Sequence, residues 1–289
     1  MVASLVFFLF LMQAGNADAL RMYGEGRYAE AALAYRDLTR SNPASADAWA
    51  GLGKSLLKLH NPAAIPILGR ALQLKPGDPD IGRTLAQGYL EGGNMAGAVA
   101  LLESITEKNP KDPEALFLLG EAMYRGGFYQ RAAQLLGQAL ALRPGIPGAD
   151  AMYAVSLAKE GRTAEAEVAC LRLLAKPPAD WDLDVSLTYV EILDDTGRPG
   201  EAMVYADKVL QQLPQNPIAH FWKARLLLQS GHIEDAAKEA EQSVTFAPGL
   251  PLARNLLVQI YRREGRTEDA ERQADWLREY NNRLTGLAR

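Results

Sequence analysis

Four sets of residues have types or spacings that could support chemistry. Ala48-Trp-Ala-Gly-Leu-Gly53-Lys54-Ser55 departs from the phosphate-loop pattern only in carrying Ala48 where the first glycine belongs. Such a loop binds phosphate when it follows a buried strand and opens a helix, so that several backbone N–H groups converge. Here the preceding stretch, Asn42-Pro-Ala-Ser-Ala-Asp-Ala, is a turn. Trp49, Leu52 and Gly53 have the spacing of positions inside a helix, where the N–H groups are used internally. Cys170 is the one cysteine, and no histidine lies within its stretch of chain to act as its base. A single cysteine excludes a disulfide framework and any multi-cysteine zinc site. His60, His220 and His232 are the only histidines and form no metal-binding pair at i, i+4. Glu191, Asp194 and Asp195 share one helical face, a spacing that suits acid–base work but suits a solvated acidic stripe better. The expectation is therefore no enzyme, no cofactor and no metal.

The bulk composition narrows the field further. Of 289 residues, 48% are apolar and 23% charged, with 31 Lys+Arg against 35 Asp+Glu. That apolar share excludes wholesale disorder. A net charge of −4 argues against a nucleic-acid binder, which carries a concentrated basic surface.

The elements that position these residues repeat. Pro43, Pro76, Pro110, Pro144, Pro178, Pro214 and Pro248 are separated by 33, 34, 34, 34, 36 and 34 residues. Ala31, Ala64, Ala98, Ala132, Ala166, Ala202, Ala236 and Ala270 keep the same steps. A third ladder runs through Gly26, Gly93, Gly127, Gly161, Gly197, Gly231 and Gly265, with His60 near the missing rung. A fixed period in this range marks a repeat array. Within a unit, Leu85 and Tyr89, then Ala98, Leu102 and Ile105, have helical spacing. Gly93 between them suits a helix end, Ala98 the close approach of two antiparallel helices, and Pro110 the stop of the second. Five Pro-x-x-Pro pairs, beginning at Pro76, Pro110, Pro144, Pro214 and Pro248, read as joints: one proline ends a helix and the next opens another.

These positions resemble the tetratricopeptide repeat (TPR), as in Trp49-Ala-Gly-Leu52-Gly53 and in Leu119-Gly120 followed by Gly127, Tyr129, Ala132, Leu136, Ala139 and Pro144. The resemblance covers residues 13–282, in eight units at 13–45, 46–78, 79–112, 113–146, 147–180, 183–216, 217–250 and 251–282, with 283–289 as a short tail. It implies an all-α fold: a right-handed superhelical solenoid of antiparallel helix-turn-helix repeats with one continuous core. The second unit is one residue short at His60-Asn61-Pro62, and two extra residues lie near Lys176–Asp180; this insertion leaves room for a slight bend, but the period resumes at once and one domain is expected.

The resemblance also implies where a partner binds. First helices of such arrays line a concave groove, which would hold Lys54 and Lys58, Arg83 and Gln87, then Phe117, Glu121, Tyr124 and Arg125. Ala151, Val155 and Lys159 follow, then Leu187, Glu191, Asp194 and Asp195, then Phe221 and Arg225, and last Asn255, Gln259 and Arg262. This mosaic of charge and aromatics suits an extended peptide or a partner's helix. The two-carboxylate clamp of chaperone-binding TPR proteins is not supported, because Lys54 stands where that clamp has Asn and Ala50 where a cation belongs.

Val2–Met12 is an apolar run, too short to span a bilayer as a helix. It reads as the core of an export signal, with Ala17-Asp18-Ala19 as a cleavage site, although no Lys or Arg precedes it. The alternative is an over-long first helix. The expectation is a non-catalytic protein-binding scaffold, bacterial and exported to the periplasm or beyond, in a cell-envelope or secretion-type assembly. The alternative is a cytoplasmic regulatory or targeting subunit of an enzyme complex.

Overall fold

A computed structural model describes residues 15–287, so the apolar run Val2–Met12 lies outside the described residues. Helix α1 covers 15–24. It is followed by α2 (Tyr28–Ser41), α3 (Ala46–Lys58), α4 (Ala64–Leu74), α5 (Pro79–Glu91), α6 (Met95–Lys108), α7 (Pro113–Arg125) and α8 (Tyr129–Leu142). Then come α9 (Ala149–Lys159), α10 (Thr163–Leu174), a single 3₁₀ turn at Pro178–Asp180, α11 (Leu183–Asp195), α12 (Pro199–Gln212), α13 (Pro217–Gln229), α14 (Ile233–Phe246), α15 (Pro251–Arg263) and α16 (Thr267–Leu287). The described residues contain no strand. The chain divides into two compact units, 1–149 and 150–289, so the division falls at the start of α9 and not at the Pro177-Pro178 insertion. Helix α16 runs on to Leu287, so residues 283–287, expected as a tail, are helical.

Local chemistry sets each helix end. Asp78, Asp112, Asp182 and Asn216 accept hydrogen bonds from the first-turn N–H groups of α5, α7, α11 and α13. Proline opens α5, α7, α13 and α15, where its missing N–H is no loss. The Pro144–Pro147 joint is different. Gly148 after it takes a positive φ of 79°, and α9 begins only at Ala149. At the 176–180 insertion, the Trp181 indole N–H donates to the Leu174 and Lys176 carbonyls at 3.1 and 2.9 Å. Its ring stacks on Tyr205 at 5.5 Å, so the extra residues are pinned to α12.

The turn inside each helix pair needs a left-handed residue. At Gly127 (φ 75°) the chain closes a Schellman end, with Phe128 N–H donating to the Met123 carbonyl at 2.9 Å. In the second repeat His60 takes this role with φ 52°, and Asn61 N–H donates to Leu56 in the same way. A β-carbon in this conformation costs about 1 kcal/mol. His60→Gly is therefore expected to stabilise the fold by about 1 kcal/mol, read as a higher urea midpoint at unchanged slope.

The core is built where the two helices of a pair meet. All eight ladder alanines, from Ala31 to Ala270, are at most 2% exposed. One turn further on, Leu68, Leu102, Leu136, Cys170, Ala206 and Ala240 are fully buried. A β-carbon on Gly53 would stand 2.5 Å from Leu68 Cγ, and one on Gly120 2.8 Å from Leu136 Cγ. These glycines admit the leucines.

Candidate functional site

In the second unit, α11 lies against α13 and α13 against α15, as α3, α5 and α7 do in the first unit. Each unit thus has a face made of first helices. On that face in the second unit, α13 and α15 border a groove of 380 Å³. Its apolar lining is Phe221 and Leu228 from α13 with Leu252 and Leu256 from α15. Its polar lining is Arg225, Gln229, Asn255, Gln259 and Arg263, and no carboxylate takes part. Arg225 is held in place by Asp194 at 2.9 Å and by the Trp222 ring at 5.1 Å. Asn255, Gln259 and Arg263 are exposed and carry no ion pair among the described residues. Amides offer both donors and acceptors to an extended backbone, and a guanidinium with no carboxylate beside it attracts an acidic group.

Four expected residues come together in this groove: Phe221, Arg225, Asn255 and Gln259. Phe221 forms its floor and is only 7% exposed, edge-on to Trp222 at 5.4 Å. It is as much core as contact. Arg263 lines the groove, whereas the expected Arg262 is exposed outside it. Leu252, Leu256, Gln259 and Arg263 follow one another at steps of four, three and four, the helical stripe that could have flagged them.

Most other expected groove residues are tied within the protein. Lys54 pairs with Asp80 on α5, and Arg83 with Asp112, the cap of α7. Gln87 donates to Glu91 at 2.9 Å, and Glu121 pairs with Arg125 at 2.6 Å. Lys159 meets Glu191 at 2.6 Å. These contacts join successive repeats or neighbouring turns. Asp194 was expected on a solvated acidic stripe, but its side chain is only 3% exposed because Arg225 covers it. Val155 and Leu187 are buried as well. In the first unit Lys58 is exposed, and Phe117 and Tyr124 are half-buried on α7, with Tyr124 edge-on to Tyr129 at 5.9 Å.

The chemistry-bearing residues of the sequence take structural places. Gly53, Lys54 and Ser55 lie inside α3, and the Ser55 hydroxyl donates to the Gly51 carbonyl at 2.8 Å. His220 has Nδ1 2.6 Å from Glu239 and Nε2 2.9 Å from the Pro214 carbonyl. Cys170 is fully buried, and burial pushes its thiol up to about 12. Iodoacetamide at neutral pH should leave Cys170 unmodified in the native protein and alkylate it rapidly in denaturant, as mass spectrometry would show.

Tetratricopeptide-repeat sequence signatures match residues 16–79 and 122–180, and residues 60–122 and 195–249, together most of the chain. Cellulose synthase operon protein C of Pseudomonas fluorescens (strain SBW25) is 28% identical over 161 residues, 53% of this chain and 12% of that protein. TPR repeat-containing protein YpiA of Bacillus subtilis (strain 168) is 24% identical over 225 residues, 76% of this chain and 53% of that protein. The chain thus spans about half the length of one relative and about an eighth of the other. The crystal structure of PilW, a type IV pilus biogenesis factor, superposes with a TM-score of 0.58 at 23% identity, covering 70% of this chain and 92% of PilW. With its helix pairs and its repeat positions, the chain belongs to the tetratricopeptide-repeat family.

Proposed function

We propose that this protein is a non-catalytic scaffold that holds an extended segment of a partner protein on its first-helix face, chiefly between α13 and α15. The observation that carries this reading is the lining of that groove: four apolar side chains, three amides and two guanidiniums, of which Arg225 is paired with Asp194 and Arg263 has no ion pair among the described residues. Apolar side chains of the partner would seat against Leu252 and Leu256, and its backbone amides would meet Asn255 and Gln259. An acidic group would approach Arg263.

The assembly we propose is one of the bacterial cell envelope. The apolar run Val2–Met12 supports it, as does likeness to a pilus biogenesis factor and to a cellulose synthase operon protein. Among the described residues no helix is long and apolar enough to cross a membrane. Ala19 is fully buried in the first core cluster, so a cut after it would remove a packed part of α1. Fractionation with intact-mass analysis tests this placement. The envelope reading expects the protein in the periplasmic or membrane fraction without its apolar leader, and a full-length chain confined to the cytoplasm would overturn it.

A further inference from the structure

A second groove lies in the first unit, away from the first-helix face. It runs between the second helices α2 and α4 over α3, encloses 610 Å³ and is far more apolar than the α13–α15 groove. Leu33 and Ile67 form its walls, with Trp49 and Leu56 in its floor. Leu33 is 51% exposed, a large apolar side chain left to solvent. Along α2 the lining runs from residue 29 to residue 40, about 16 Å or three helical turns. Arg36 and Arg40 stand toward one end. Arg36 is exposed and has no ion pair among the described residues, and Arg40 has only Asp37 at 3.5 Å, a pair in which the Arg40 and Asp37 side chains are 71% and 72% exposed. The groove is open along its length, which suits a helix laid in from solvent better than an acyl chain that needs enclosure.

We infer that this groove docks an amphipathic helix of a partner protein, about three turns long, with an apolar stripe and acidic residues at the end that meets Arg36 and Arg40. Charge decides the occupant. The chain's own apolar run, Val2–Met12, has no acidic side chain to meet the two guanidiniums. A helix so placed would bury Leu33 and bring carboxylates to cations that have little competing partnership. Because this surface does not involve α13 or α15, the protein would hold two partner elements at once.

The test uses two fluorescein-labelled helical peptides with the same leucine stripe, one ending in two glutamates and the other in two lysines, titrated into the full-length protein. The glutamate peptide is expected to bind at least tenfold more tightly. Arg36→Glu with Arg40→Glu should reverse that preference, and Leu33→Asp should abolish binding of both at unchanged thermal stability. An α13–α15 variant, Arg263→Glu, should leave these titrations unaltered, which separates this site from the proposed peptide groove. Equal binding of the two peptides, no binding of either, or indifference to Leu33→Asp would overturn the inference. So would tighter peptide binding after deletion of residues 1–14, which would make that segment the occupant, or a dimer by sedimentation that Leu33→Asp dissociates.

Discussion

Gly53→Val is expected to destabilise the first unit by about 1–3 kcal/mol, and Leu68→Ala by about 2–5 kcal/mol. The double variant should be about 2 kcal/mol more stable than the sum of the single effects. The reason lies in how the repeats share volume. A Gly53 β-carbon would stand 2.5 Å from Leu68 Cγ, so the valine and the leucine compete for one space. Ala86 with Leu102 and Gly120 with Leu136 occupy the matching positions in repeats three and four. Repeat six reverses the sizes, with Val190 on the first helix and Ala206 on the second, both fully buried. The double variant rebuilds that reversed pair in repeat two. Chemical denaturation of the four proteins closes the cycle, and additive losses would mean that the two positions do not share one space. Gly69→Ala serves as the control: its β-carbon meets nothing within 4 Å inside α4, so it should gain about 0.5–1 kcal/mol.

The other large effect is on binding. Replacing Asn255 and Gln259 with Ala and Arg263 with Glu should weaken an acidic partner segment by about 100-fold, close to 3 kcal/mol. Two amides that hydrogen-bond the backbone are lost, and a carboxylate replaces a cation. Asn255, Gln259 and Arg263 are exposed, so the melting temperature should stay within a degree or two. Phe221→Ala is a poorer test because that ring is buried, and lost binding would be confounded with lost packing. Calorimetric titration with the partner segment measures the effect. A loss below threefold would remove the groove from the account.

The repeats were legible because their signals are local. A proline stop, a left-handed glycine and an alanine at a helix crossing each act within a few residues, and a shared period makes them reinforce one another. Where a local rule met a local exception, as at Pro147 and Gly148, the sequence misplaced the helix start by two residues. The binding face was read less well for the opposite reason. Whether an outward cation is available depends on a carboxylate one repeat away. Lys54 is consumed by Asp80, Arg83 by Asp112 and Arg225 by Asp194, at separations of about one repeat that local patterning does not reveal. Arg263 escaped notice because the expected register gave its place to Arg262.

Site-specific photocrosslinking in the intact cell tests the central claim most directly. A benzophenone side chain in place of Leu252, at the edge of the α13–α15 groove, should capture one protein partner. Arg263→Glu should abolish the adduct, while the same probe in place of Val168, on α10, should capture none. An adduct at Val168 with none at Leu252, or a Leu252 adduct that survives Arg263→Glu, would contradict a scaffold that binds through this face.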